Sequence, residues 1–404
     1  MIAASRQTVE SQPAELSIAA SRASPEFDVL LACCRNPAPD SDELRRALSH
    51  EVDGKRLVQF ADHHGVVPRV YPSLSASALL SLEVRETLRQ RYEANARRAL
   101  WLTQELLRVL EHLESHGIAA LAYKGPVLAE LLYGDVAQRQ FSDLDVLVQR
   151  SDVPRVKSAL RELGYEPAIQ LTKRQERAYL ASGYEYVFDR GSQRNLLEIQ
   201  WQILPRFYAI DFDMDQIFQR AASVKLAGRS VRTLCPEDLL VVLSVHAAKH
   251  AWMRLSWLCD LAQLARSRAI DRDAVSLQAR RLGVERIVGT TFSLADVLLN
   301  SKLTLPLRSP GAGLRTIWEQ IIPAMAEGAE YEVESISYFR LMLRLRERWR
   351  DRLRFLCRLA STPGPGEWSA VRLPDRLFPL YWLVRVFRLA ARLASWNVRM
   401  TGMR

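Results

Sequence analysis

The chain of 404 residues has no uncharged apolar run near the roughly 18 residues that a membrane span needs. Its opening stretch, MIAASRQTVESQPAELS, lacks the apolar core of a signal peptide and reads as a polar, disordered leader over residues 1–24. Cysteine is scarce: Cys33, Cys34, Cys235, Cys259 and Cys357 are scattered, odd in number and without CxxC spacing. That argues against a disulfide framework and a cysteine zinc site, and it points to reduced thiols in a cytoplasmic protein. No internal repeat is present.

A surplus of one charge is nearly missing from the body. Residues 1–300 hold 38 Lys and Arg against 37 Asp and Glu, whereas residues 301–404 hold 18 against 9. A nucleic-acid coat spread over the body is not expected. The local excess fits a docking surface for something anionic, or solvated helix faces. What is present is ordinary globular material, 48% hydrophobic and 25% charged, enough for two or three domains.

Residues 25–115 show apolar positions at helical spacing, ending at Gly117. The pattern then changes. IAALAY (118–123) reads as a strand running into the turn Lys124-Gly125-Pro126. PVLAELLYG (126–134) reads as a helix with proline near its start and glycine past its end. FSDLDVLVQ (141–149) is a second strand, and 152–165 an amphipathic helix with Ser151 as candidate cap. After a helical stretch at 172–181, YEYVFDR (184–190) and NLLEIQW (195–201) flank the turn residues Gly191-Ser192-Gln193, a predicted hairpin. Cys235-Pro236-Glu237-Asp238 opens a further helix, and helices continue to the end, broken at TPGPG (362–366).

Asp143 and Asp145 alternate with Leu144, so both carboxylates project from one side of their strand. Two such neighbours repel unless a cation lies between them, and Mg²⁺, a hard ion that binds carboxylates and phosphates together, suits them. Alone, the pair is common by chance and reads equally as a solvated strand end. Context changes its weight: Lys124-Gly125, a helix, Arg139, Ser142, Asp143 and Asp145, then a later strand carrying Glu198 in LEIQW.

This order resembles the polymerase-beta-type nucleotidyltransferase superfamily, and more closely the bacterial nucleotidyltransferase family of uncertain substrate. The resemblance covers about residues 118–260, and more loosely the flanking helices. It implies an α+β fold: a polymerase-beta-like nucleotidyltransferase α/β domain with a mixed sheet, flanked by N-terminal and C-terminal helical regions. It implies that Asp143 and Asp145 hold two divalent ions, Mg²⁺ with Mn²⁺ as a substitute, and that Glu198 is the third catalytic carboxylate and metal ligand. The superfamily usually follows its turn glycine with serine or glycine. Here Pro126 follows and has no N–H to offer a phosphate. The expected phosphate contacts are then Lys124, Gly125, Ser142 and Arg139. The plainer readings are a surface lysine, and an arginine paired with Asp135 or Asp143.

His246, His250, Trp257 and Asp260 would share one face of a continuous helix. A zinc protease is excluded because Ala247 stands where HExxH needs glutamate. His246 and His250 are either part of a packed polar face or nucleotide contacts lining the cleft. Eight arginines fall within 340–358, and the last helix places Arg385, Arg388, Arg392 and Arg399 near one face, opposite apolar residues. The expectation is a packed terminal helix with its arginines in water; an anionic or membrane surface is the alternative partner.

The expected organisation is a leader (1–24), an N-terminal helical region (25–116), a catalytic domain (117–232), a helical domain facing the cleft (233–300) and a basic C-terminal helical region (301–404). The expected activity is transfer of a nucleoside monophosphate, AMP, from a nucleoside triphosphate to an acceptor, with release of pyrophosphate. The acceptor is a small molecule, glycan intermediate or peptide, and no template nucleic acid is expected. The competing expectation is a catalytically inactive protein that keeps the fold for binding or regulation.

Overall fold

The computed structural model describes residues 24–35, 41–266, 270–302, 306, 315–329 and 335–401. Apart from Ser24, the expected leader lies outside them, as does the side chain of Arg399. Among the described residues, the strands form a five-stranded mixed sheet in the order β1-β2-β5-β4-β3 and a separate two-stranded ribbon, β6-β7. The members of the large sheet are β1 (Ala120–Ala122), β2 (Leu144–Val148), β3 (Glu166–Pro167), β4 (Glu185–Arg190) and β5 (Gln193–Gln200); the ribbon is β6 (Ala222–Leu226) and β7 (Arg229–Thr233). β2 and β5 run parallel, and the other neighbours antiparallel. The predicted hairpin forms from β4 and β5, with Gln193 already in the strand.

Period-two alternation sorts the sheet faces. Leu144, Val146 and Val148 enter one core with Ile199, covered by Leu102, Leu106 and Val109 of the Leu82–Ser115 helix and by Val156 and Leu160 of the Val153–Glu162 helix. Asp145 lies on the other face, directly opposite Glu198 across the parallel pair. A second core joins N-terminal residues such as Phe27 and Leu57 to Leu239, Leu258 and Val288 of the later helices. The N-terminal and later helices therefore pack as one body of apolar side chains.

The Gly125–Tyr133 helix forms as its sequence predicts, with Pro126 in its first turn and left-handed Gly134 closing it. The Val153–Glu162 helix differs at its start. Asp152, not Ser151, occupies the cap position, without a side-chain capping bond. The last helix, Tyr381–Thr401, packs, but with its faces reversed from expectation. Arg385 is buried and donates to the Leu359 carbonyl, and both Arg385 and Arg388 pair with buried Glu367. Phe387, at 72% exposure, points to water instead. Helical spacing identifies the two faces but cannot tell which of them meets a buried carboxylate. No helix among the described residues is long and apolar enough to cross a membrane. The five cysteines are free thiols, with Cys33, Cys34 and Cys259 buried.

His64 caps the Gly54–His63 helix and is fully buried between the rings of Phe27 and Phe60. Burial, with neighbouring His63 adding to it, pushes its pKa down to about 3. A denatured-state histidine, near 6.5, takes up a proton that the native ring refuses. Stability from this site is therefore complete above pH ~6.5 and is lost as pH falls toward ~3, with a slope of at most ~1.4 kcal/mol per pH unit. His64→Phe keeps a ring in the site and removes the proton. Its acid limb in thermal unfolding between pH 7 and 4 is expected to be shallower than wild type; equal slopes would refute this.

Candidate active site

One cleft of about 710 Å³ opens over the polar face of the sheet. That volume suits a ligand of nucleotide size. All nine site residues expected from sequence line it: Lys124, Gly125, Arg139, Ser142, Asp143, Asp145, Glu198, His246 and His250.

Asp143 immediately precedes β2 and Asp145 is its second residue. Buried Asp145 accepts from Lys124 Nζ at 2.8 Å and from Gln200 Nε2 at 3.0 Å. The same amide donates to Glu198 Oε2 at 3.0 Å, so one side-chain NH₂ group spans both carboxylates. Tyr123 O–H donates to Gln200 Oε1 at 2.6 Å and orients that amide. Glu185, across the hairpin, adds a further carboxylate to the cleft.

Proton affinities follow from this crowding. Burial, then Asp145 and Glu185, push Glu198 up to about 9. Burial and Asp145 also raise Asp143. Burial, the largest single influence, lowers the Lys124 ammonium, but Asp145, Tyr123 and Glu198 together outweigh it and the net shift is upward. Lys249 is lowered, chiefly by burial, and donates to Tyr184 O–H at 2.8 Å. Four carboxylates thus gather beside Lys124, a donor set of hard oxygens. Such a set fits Mg²⁺, and Asp143, Asp145 and Glu198 would hold it.

Gly125 is required where it stands. Its φ is +53°, and a Cβ would lie 3.2 Å from the Asp143 carbonyl oxygen. This close approach brings the start of the Gly125–Tyr133 helix against the aspartate strand. From the opposite wall, the Leu82–Ser115 helix holds the intervening chain. Asn95 Nδ2 donates to the carbonyls of Ala137 and Arg139, and Arg98 Nη2 to that of Ser142 at 2.8 Å. Ser142 itself lies exposed at the rim.

Arg139 has a partner that sequence reading did not find. Its Nε donates to Asp260 Oδ2 at 2.9 Å, and Tyr133 O–H donates to Asp260 Oδ1 at 2.7 Å. The pairing with Asp135 or Asp143 is replaced by this contact across 121 residues of sequence. The continuous helix expected through Asp260 is also corrected. The first helix, Pro236–Lys249, ends before His250, and a second, Leu255–Ala265, begins after a break. Ala251 and Trp252 both take positive φ there, an uncommon state for residues bearing a Cβ. Trp252 is fully buried and its indole N–H donates to Thr291, which holds the turn. His246, His250 and Trp257 still meet, with ring centroids 4.9–5.4 Å apart, whereas Asp260 turns inward to Arg139. Burial lowers both histidines, His250 to about 3, so these rings are neutral near pH 7.

Sequence reasoning missed Glu185, Gln200, Tyr123 and Tyr184. Gln200 could have been found, since it lies two residues from Glu198 on the same strand face. The sheet places the acids at the cleft floor, while Arg91, Arg98, Lys249 and Arg254 add positive charge around it. Acids below and bases around suit a ligand that brings both a cation and phosphates.

The model of a family described as uncharacterised nucleotidyltransferase matches residues 50–300. No curated protein matches the chain. Among solved structures, an antigenic nucleotidyltransferase-like protein from Paracoccidioides brasiliensis is similar at 16% identity and a TM-score of 0.28, over 50% of this chain and 94% of that one.

Proposed function

The chain belongs to the uncharacterised nucleotidyltransferase family, and from that premise we propose that it transfers AMP from Mg²⁺-bound ATP to an acceptor hydroxyl, phosphate or amine. The acceptor atom forms a bond to the α-phosphorus, the bond to the bridging oxygen breaks, and pyrophosphate leaves. The observation that carries this reading is the placement of Asp145 opposite Glu198, bridged by Gln200, in the cleft that also holds Asp143 and Lys124. Mg²⁺ held by Asp143, Asp145 and Glu198, as two ions, would polarise the attacking and leaving oxygens.

The chain's own groups divide the remaining work. Lys124 Nζ sits beside Asp145 and is the nearest cation to phosphates arriving there. The Gly125 N–H opens a helix whose dipole favours an anion. Arg139, anchored through Nε, presents its guanidinium at the cleft wall. Glu198, opposite Asp145, would complete the metal set and help to activate the acceptor. His250 and Trp257 offer flat neutral surfaces on which a base can stack. No template is required, and the five free thiols fit the cytoplasm.

The test is calorimetric titration of each nucleoside triphosphate into the full chain, with and without Mg²⁺, beside Lys124→Met. ATP binding that needs Mg²⁺ and weakens at least about tenfold in the variant is expected, as for loss of a charged contact worth ~1.5 kcal/mol or more. Pyrophosphate release on adding cell extract to the ATP complex would then guide the acceptor search. A folded wild type that binds no triphosphate would favour the inactive, regulatory reading.

A further inference from the structure

Away from the cleft, His112 and His116 lie one helical turn apart at the end of the Leu82–Ser115 helix, His116 being its cap residue. Glu162, the last residue of the Val153–Glu162 helix, meets both. Its Oε2 lies 3.2 Å from His112 Nε2 and 3.3 Å from His116 Nε2. The three ligand atoms all fall within 4.8 Å of one another. With metal–ligand bonds of about 2.0–2.1 Å, the edges of a tetrahedral site are about 3.3 Å long. The two measured contacts match such edges.

The hydrogen bonds behind the rings point the same way. His116 Nδ1 lies 2.9 Å from the His112 carbonyl oxygen, which can only accept, so the proton sits on Nδ1. Nε2 is then the ring atom turned toward the carboxylate oxygen, and an imidazole held by a carbonyl through its other nitrogen is the usual support of a metal ligand. His112 Nε2 also lies 3.0 Å from the Ala159 carbonyl oxygen and would exchange that proton for the ion. Two helix C-termini converge here, and their dipoles disfavour a carboxylate such as Glu162 unless positive charge is present. Arg155 donates to the His116 carbonyl and to Asp152, and so fixes the turn.

We propose that His112, His116 and Glu162 form a zinc site that clips the Leu82–Ser115 helix to the Val153–Glu162 helix. Two nitrogens and one carboxylate oxygen suit Zn²⁺, and Glu162, at 55% side-chain exposure, leaves room for water as fourth ligand. The clip acts at a distance from catalysis. It steadies the helix whose Asn95 and Arg98 hold the chain leading into Asp143. The site is separate from the Mg²⁺ set, whose ligands are oxygens alone.

The test uses the metal-stripped full chain with Mg²⁺ in excess, titrated with Co²⁺ and followed by visible absorption. One equivalent is expected to give the intense bands of tetrahedral cobalt, displaced by one equivalent of Zn²⁺. His116→Ala and Glu162→Gln, both at the surface, are expected to lose the bands while keeping the wild-type circular dichroism. Asp143→Asn is expected to keep them. Added Zn²⁺ should raise the melting temperature of wild type and not of His116→Ala. Absence of uptake by wild type overturns the proposal. Uptake that survives both site variants, or that vanishes in Asp143→Asn, overturns it as well, since the ion would then lie elsewhere.

Discussion

Asp143→Asn is expected to lower nucleotidyl transfer about 1000-fold or more while leaving the metal-free protein at least as stable as wild type. Losing a ligand to an ion that supplies several kcal/mol of charge stabilisation, taken as about 4 kcal/mol, gives that factor. The stability half follows from the crowding around Asp143. Burial and Asp145 raise its proton affinity, so the ionised form is already disfavoured in the folded chain. A neutral amide removes that repulsion. Asp145→Asn separates the two effects. It too should abolish transfer, but it also leaves the Lys124 ammonium buried without its partner at 2.8 Å. Breaking one half of a buried pair costs about 3–5 kcal/mol. Urea unfolding without metal, set beside a transfer assay, should therefore show one stable inactive variant and one unstable inactive variant. Retained transfer in Asp143→Asn, or equal destabilisation of both, would contradict this account.

The second large effect is expected at Asp260→Asn, a position outside the cleft lining. Its two oxygens accept from Arg139 and Tyr133, and the pair with Arg139 is buried, with side-chain exposures of 10% and 3%. The asparagine would strand a guanidinium in the interior, at a cost of about 3–5 kcal/mol. Arg139→Met/Asp260→Leu removes both charges and is expected to recover much of that loss, because desolvation no longer has to be offset. Urea unfolding of Arg139→Met, Asp260→Leu and the double gives the coupling between the two sites. Strict additivity would show that the contact contributes no pairwise term. A KM for triphosphate raised in Asp260→Asn, with the chain still folded, would further show that this contact aims Arg139 at the cleft.

Much of the candidate site was legible because it is built from neighbours in sequence. A two-residue period puts Asp143 and Asp145 on one side of a strand, and a Lys-Gly turn before a short helix is a local event. The meeting of Asp145 with Glu198 was anticipated only through resemblance. Strand alternation states which face a residue takes but not which strand will lie beside it. The parallel register of β2 and β5 supplied that information. The polar helix after residue 236 shows the reverse. Helical spacing united His246, His250, Trp257 and Asp260. The left-handed pair Ala251-Trp252 then broke the helix, and a buried tryptophan bonded to Thr291 overrode local propensity.

By itself, then, the sequence determined the class of the chain, its helix–sheet–helix order, the strand carrying two carboxylates and the glycine beside them. All of these rest on contacts within a few residues or on periodicity. Only the tertiary structure decided the partner of Arg139, the inward turn of Arg385 and the reversal of the last helix. It also decided that Glu162 stands against His112 and His116. An i, i+4 histidine pair can be read along a helix, but its third ligand comes from another element 46 residues beyond His116. Buried charges choose partners by where packing leaves them without water, and that choice depends on the whole folded chain.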